Sequence, residues 1–280
     1  MCDSPFLYQM IAEERQSMMK QIEIKGRVIG QGIPKVCVPL VGKTEEEIMQ
    51  QADHVCQRAG NGEIDMVEFR GDYFEGLDDI PRLLALLQRL QEKLTEADKI
   101  LLFTIRSEAE GGEKLAFTTP GIYEINEAVI ESAIPDMVDV ELFSGAEDIQ
   151  KLVTLAHQKG VYIIMSNHEF HTTPEADVML NRLRSMQDMG ADVAKIAVMP
   201  KDEMQLLRLL AVTNTMYEKY ATIPLITISM GRLGTLSRLC GQIFGSAVTF
   251  AALDQASAPG QIPVDELNMM LKWMNRHYSN

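Results

Sequence analysis

"TPEADVMLNRLRSMQDMGADVAKIAVMP", residues 173–200, decides how this chain is to be read. Its first part carries helix punctuation: Thr173 as a cap, Pro174 at the first turn and Gly190 as the stop. Its last part, "ADVAKIAVMP" (191–200), is a short apolar run of strand length. A helix followed at once by a buried strand is part of a βα repeat. One residue interrupts the apolar run. Lys195 sits among Val193, Ala194, Ile196, Ala197 and Val198, and lysine is seldom buried without a partner.

The same unit recurs along the chain. Apolar runs occur at "KVCVPLV" (35–41), "MVEFR" (66–70), "ILLFTIR" (100–106) and "MVDVEL" (137–142). They continue at "VYIIMS" (161–166), "AKIAVM" (194–199), "LITISM" (225–230) and "AVTFAAL" (247–253). The gaps hold amphipathic segments. "TEEEIMQQADHVCQRAG" opens at Thr44 with acids in its first turn and closes at Gly60. "SGAEDIQKLVTLAHQKG" opens at Ser144 or Gly145 and closes at Gly160, and "PVDELNMMLKWMNRHY" follows the last run. Serial βα units predict an α/β chain folded as a (β/α)8 TIM barrel. A doubly wound open sheet is the alternative, and the lack of any second domain favours closure. Ahead of the first run, "QIEIKGRVIG" (21–30) alternates around Lys25-Gly26 and predicts a short hairpin covering one barrel end. Residues 19–280 read as a single catalytic domain, with 1–18 as a disordered or appended N-terminal extension.

Composition excludes several classes. The 280 residues carry a net charge of −14, against general binding of nucleic acid, which depends on phosphate neutralisation. Hydrophobic content of 46% and charged content of 24% are ordinary for a globular protein. The cysteines Cys2, Cys37, Cys56 and Cys240 have neither zinc nor redox-pair spacing. They read as reduced thiols of a cytoplasmic protein. "MCDSPFLYQMIAEERQ" has no uninterrupted apolar core, so it is not a secretory signal, and no run is long enough to span a membrane. No dinucleotide fingerprint or metal cluster points to a cofactor, so the expectation is none, and no metal.

Strand parity locates the charges. Side chains alternate between faces, and the helix-facing ones should be large and apolar. Val67 and Phe69 then face out, leaving Glu68 and Arg70 inside. Phe103 and Ile105 leave Thr104 and Arg106 inside; Val138, Val140 and Leu142 leave Asp139 and Glu141. Ile163 and Met165 leave Ser166 and His168; Ile196 and Val198 leave Lys195 and Ala197. In "LITISM" the same rule places Thr227 and Ser229 inside. Isolated buried charges are costly, and clustered ones rarely stabilise better than apolar packing. An interior of this kind predicts a binding or catalytic well.

A neutral lysine amine can attack a ketone to form a Schiff base. His168 has an ordinary pKa of about 6.5, suited to proton transfer near neutrality. Together they describe proton chemistry next to a carbonyl. The structural alternative pairs Lys195 with Asp139 or Glu141 as a buried ion pair.

Longer stretches carry a resemblance. "VEFRGDYF" (67–74), "LLFTIRSEAEGGE" (101–113), "DMVDVELF" (136–143), "IMSNHEFHTTP" (164–174), "GADVAKIAVMP" (190–200), "SRLCGQIFGSAVTFA" (237–251) and "ASAPGQI" (256–262) resemble the type I 3-dehydroquinate dehydratases. These are Schiff-base enzymes of the shikimate pathway. The resemblance runs from about residue 20 to the C-terminus and implies a (β/α)8 barrel. It implies that Lys195 forms an imine with the ketone of 3-dehydroquinate. His168 would remove the acidified proton and protonate the departing hydroxyl, and Glu110 would orient His168. It places Arg238 on the substrate carboxylate, Glu68, Arg70 and Arg106 on the hydroxyl-bearing ring, and Ser257 and Gln261 in a closing lid. It further implies a homodimer. The chain departs at Pro39, where some family members carry serine. Two other readings remain at this level: another Schiff-base barrel such as a class I aldolase, and a barrel that binds without catalysis.

Overall fold

Two short antiparallel strands, β1 (Ile22–Ile24) and β2 (Arg27–Ile29), begin the fold in the computed structural model, which describes residues 21–58, 64–115, 119–253 and 257–278. The expected extension at 1–18 lies outside those residues. Lys25 and Gly26 both have positive φ, 49° and 73°, giving the two-residue turn whose twist suits a hairpin. Lys25 Nζ donates to Asp136 Oδ2 at 2.8 Å and to the Lys99 carbonyl at 3.0 Å. Both residues lie just ahead of barrel strands, so the hairpin is pinned over the N-terminal barrel end. Ile24 and Ile29 pack there on Met66, Ile100, Met137 and Val193. The C-terminal end is left for chemistry, as in other barrels of this architecture.

Eight parallel strands make the wall. They are β3 (Lys35–Leu40), β4 (Met66–Arg70), β5 (Ile100–Thr104), β6 (Met137–Glu141), β7 (Tyr162–Glu169), β8 (Val193–Val198), β9 (Leu225–Ser229) and β10 (Val248–Ala252). From β3 to β9 each pairs with the next in sequence, and β10 pairs with β3. The seam between β9 and β10 is narrow: a bridge joins Leu225 to Ser246, and Ala247 N donates to the Leu225 carbonyl at 2.7 Å. A two-residue strand, β11 (Ile262–Pro263), adds to β10.

Helices cover the outside. In α1 (Glu45–Gln57) the expected cap, Thr44, goes further and forms a reciprocal capping box with Glu47. α2 (Ile80–Glu96) starts from Asp79, and α3 (Thr119–Ser132) follows. α4 (Ala146–Lys159) begins at Gly145 and stops at Gly160, whose φ is 73°. α5 (Ala176–Asp188) corrects one expectation: its cap position is Glu175, not Thr173. Pro174 keeps Thr173 out of the helical region, and Arg208 takes the carbonyls of both residues. α6 (Glu203–Lys219), the short α7 (Thr235–Leu239) and α8 (Gly241–Phe244), and α9 (Val264–Tyr278) complete the ring.

Two apolar layers confirm the parity on most strands. Val67, Phe69, Phe103, Val138, Ile163 and Ile196 pack against helices, whereas Cys37, Leu102, Ile164 and Ala197 face the interior. β9 is the exception, and it overturns the placement of Thr227 and Ser229. Ile226 and Ile228 point inside. Thr227 faces α6, where its hydroxyl accepts from Thr213 Oγ1 at 2.8 Å. Ser229 shares that outer face, and its backbone N donates to Ser237 of α7 at 2.9 Å. A helix hydroxyl here satisfies a strand hydroxyl, so the outer face did not need to be apolar.

Candidate active site

Lys195 is the third residue of β8, deep in the barrel, and its side chain is 4% exposed. Its Nζ donates to Asp139 Oδ2 at 3.0 Å, lies 3.8 Å from Glu68 Oε1, and sits 4.7 Å from the centre of the Phe250 ring. The ion pair with Asp139 that the sequence allowed is therefore real. Asp139 also accepts from Ser166 Oγ at 2.5 Å and meets Arg106 Nη2 at 2.9 Å. Burial works to raise this carboxyl, but Arg106 and Lys195 overcome it and hold it at about 2. Asp139 is thus a fixed anion and a poor proton acceptor near neutrality.

Arg106 lies just past the end of β5 and ties the acids together. Its Nη1 donates to Glu141 Oε1 at 2.9 Å and to Ser166 Oγ at 3.0 Å, and stands 3.6 Å from Glu110 Oε2. Despite burial, Asp139 and Glu141 hold its guanidinium still more firmly charged than usual. Arg70, at the end of β4, lays its Nε and Nη2 on Asp72 at 2.8 and 2.6 Å. Glu68 accepts from Thr104 Oγ1 at 3.0 Å.

His168 stands higher. Ser166 is in register with Lys195, and His168 with Ala197, so the histidine is two residues, about 7 Å, nearer the C-terminal end. Glu110, in a short turn after β5, accepts from both the backbone N and Nδ1 of His168 at 2.9 Å. That acceptor assigns the ring proton to Nδ1 and leaves Nε2 as the nitrogen available to the cavity. Burial, then the charges of Arg106, Lys195 and Arg70, push the imidazole well below 6.5, so it is a neutral base. Glu110 is pushed up to about 7 by burial and by Glu141, against Arg106 and Asn167.

Arg238 enters from α7. It is 2% exposed, donates to the carbonyls of Phe250 and Pro259 at 3.3 and 3.1 Å, and makes no ion pair among the described residues. Its Nε has no partner, and burial lowers the group to about 10. It is a buried cation that still needs an anion. Above it, Ser257 N donates to Gln261 Oε1 at 2.9 Å, and Gln261 Nε2 returns to Ser257 Oγ at 3.1 Å. Gly231 N donates to the Pro259 carbonyl at 3.0 Å, which seats this segment on the barrel rim.

All nine residues expected from the sequence line one cavity of about 490 Å³, open space at its mouth included. The sequence reading missed its apolar wall of Phe170, Ile228, Met230 and Phe250. Interior parity on β10 marks Phe250; Phe170 lies past the end of β7, where alternation no longer guides. Pro39 is not among the lining residues.

Fold and cavity define a class: an α/β barrel that gathers in one cavity at its C-terminal end a buried amine, a neutral imidazole and a guanidinium without an ion pair among the described residues. A sequence profile of the type I 3-dehydroquinase family matches residues 36–278, and the chain belongs to that family. The 3-dehydroquinate dehydratase of Bacillus licheniformis is 44% identical over 260 residues, covering 93% of this chain and all of that protein. A crystal structure of the type I 3-dehydroquinate dehydratase of Clostridium difficile, with covalently modified comenic acid, superposes with a TM-score of 0.87. It shares 42% identity and covers 93% of this chain and 99% of that one. The Geobacillus kaustophilus 3-dehydroquinate dehydratase also gives 0.87, at 38% identity over 93% of this chain and 98% of its own.

Proposed function

We propose that this chain dehydrates 3-dehydroquinate to 3-dehydroshikimate through an imine on Lys195. The observation that carries the reading is the shared cavity of Lys195, neutral His168 and unpaired Arg238. The carboxylate of 3-dehydroquinate supplies the anion that Arg238 lacks, in the planar geometry a guanidinium favours. The lysine must first lose a proton. Asp139 is held too acidic to take it, so His168 Nε2 is the acceptor. The free amine adds to the ketone, His168 gives the proton it took to the carbinolamine oxygen, which leaves as water, and the resulting imine acidifies the neighbouring C–H. His168 removes that proton and returns it to the departing hydroxyl. Water then hydrolyses the imine, restoring Lys195 and releasing the enone. Glu68, Arg70 and Arg106 frame the ring hydroxyls, while Ser257 and Gln261 close the mouth.

The reading takes residues 19–280 as one catalytic unit, and extends to a cytoplasmic homodimer serving the shikimate pathway. The family relationship supports the pathway and the assembly. No described helix is long and apolar enough to cross a membrane. Light scattering on a sizing column checks the dimer. The chemistry is tested by incubating the protein with 3-dehydroquinate and borohydride and mapping the adduct by mass spectrometry. A reduced ligand adduct on Lys195 and ultraviolet absorbance from the enone are expected. Neither signal appearing would sink the proposal.

A further inference from the structure

Glu110 is held from two sides, and only one of them is His168. Its Oε2 accepts from His168, whereas its Oε1 accepts from Asn167 Nδ2 at 2.9 Å. Asn167 is 3% exposed on β7, so its amide has little room to find other partners. An asparagine amide can present either its oxygen or its nitrogen, and the neighbours decide which. Here the decision comes from α5. Arg182 Nη1 donates to Asn167 Oδ1 at 2.7 Å and to Glu169 Oε1 at 2.7 Å, with its guanidinium 5.3 Å from the centre of the Phe143 ring. Arginine only donates, so it takes the amide oxygen and turns the NH2 group toward Glu110. The NH2 group in turn can only donate, so it favours the charged, accepting form of that carboxylate.

We infer that Asn167 and Arg182 are positioning residues, an amide latch that keeps Glu110 an acceptor and thereby keeps the His168 proton on Nδ1. The chain of contacts runs Arg182, Asn167, Glu110, His168, and each link fixes the next. Without Arg182 the amide is free to turn its oxygen to Glu110. A carboxylate facing an amide oxygen is repelled until it takes up a proton. A protonated Glu110 donates to His168 instead of accepting, which moves the ring proton to Nε2 and removes the lone pair that faces the cavity. Arg106, Glu141 and Asp139 act on Glu110 from β5 and β6, and Arg106, Lys195 and Arg70 act on His168. These groups stay constant when the latch is altered. The latch reaches the surface, since the Arg182 side chain is 20% exposed and the Glu110 side chain 8%.

The inference rests on His168 as the base of the proposed dehydration, and the test separates the two. The measurement is kcat and KM against pH from 5.5 to 9 for the wild type, Asn167→Ala, Arg182→Met and Arg182→Lys, with nitrogen NMR of 15N-histidine-labelled protein. An inactive wild type would refute the dehydratase reading itself. With an active wild type, Asn167→Ala should lower kcat about tenfold at pH 7, the scale of a lost hydrogen bond to a charged group. Its acid limb should move up by about one pH unit, so activity partly recovers at pH 9. KM should change less than kcat. Arg182→Met should move the limb the same way by less, and Arg182→Lys, which keeps a donor, should restore it. The histidine spectra should show the Nδ1–H form of His168 declining in the same order. An equal loss at all pH values, or a wild-type profile in both Asn167→Ala and Arg182→Met, overturns the inference.

Discussion

Lys195 Nζ rests against Asp139 at 3.0 Å, yet the proposed chemistry needs the free amine. The surrounding groups resolve this by dividing tasks. Asp139, near 2, stays an anion throughout and fixes the side chain. His168, pushed well below 6.5 by burial and the neighbouring cations, is neutral near pH 7 and free to accept protons. The histidine therefore does not set the acid side of the activity profile. Glu110 does, because it must be ionised to accept the Nδ1 proton, and its raised value lies at about 7. The prediction is a kcat that rises with pH through about 7 and levels above it, followed by enone absorbance. A flat profile from pH 5.5 to 8 would refute it. Arg238 gives a second prediction. Replacing it with Gln removes a charged pair with the substrate carboxylate, worth up to about 3 kcal/mol. KM should rise on the order of a hundredfold while the fold is kept, as read by circular dichroism. Arg238→Lys should recover only part, because an ammonium cannot match a planar carboxylate with two parallel bonds. An unchanged KM in Arg238→Gln would place the carboxylate elsewhere.

At the scale of elements, the hairpin was legible because Lys25-Gly26 sits between alternating residues, and the positive φ of both gives the turn that closes it. The start of helix α1 was legible from Thr44 and the acids that follow it, a signal equally local. The two misreadings, at α5 and β9, have non-local causes. Thr173 could have capped its helix, but Arg208 from α6 holds the segment extended. Thr227 belongs inside by hydrophobicity, but Thr213 from α6 receives it outside. No pattern within a single segment announces a partner from the next helix. The lid carries a prediction at this scale. Gly260 has φ of +78°, and a Cβ added there would lie 2.4 Å from the Gly231 carbonyl oxygen. Alanine at 260 meets both a strained backbone and a backbone clash, a cost of about 1–3 kcal/mol. The segment 257–261 should then fail to seat on Gly231, lowering kcat/KM by about tenfold or more and exposing it to protease. Wild-type turnover in Gly260→Ala would show that the seat is not used.

For the whole molecule, the sequence showed that the interior was charged because parity is a property of every strand at once. It did not show who pairs with whom, because pairing depends on the stagger between strands and on side-chain length. Glu141 and Asp139 were equal candidates for Lys195; the lysine pairs with Asp139, although Glu141 is level with it in the register, and Arg106 holds both acids. Such an interior is paid for in stability. Glu110 titrates at about 7 when folded, against 4.5 for an ordinary glutamate. A carboxyl whose folded pKa is raised binds its proton more tightly when folded. Its ionisation therefore costs nothing below about 4.5, an increasing amount between 4.5 and 7, and a constant amount above. At 1.36 kcal/mol per unit the ceiling of that cost is about 3 kcal/mol. Glu110→Gln removes the ionisation and keeps an oxygen to accept from His168. Its melting temperature relative to wild type should climb between pH 4.5 and 7 and stay level above. The gain corresponds to several degrees at roughly 2–4 °C per kcal/mol. Dehydration should meanwhile fall, since the amide no longer carries the charge that holds the Nδ1 proton. Thermal melts of both proteins from pH 4.5 to 8.5 decide the matter. A difference in melting temperature that is constant across that range would mean that Glu110 carries no such strain, and that the stability of this barrel is not traded for its base.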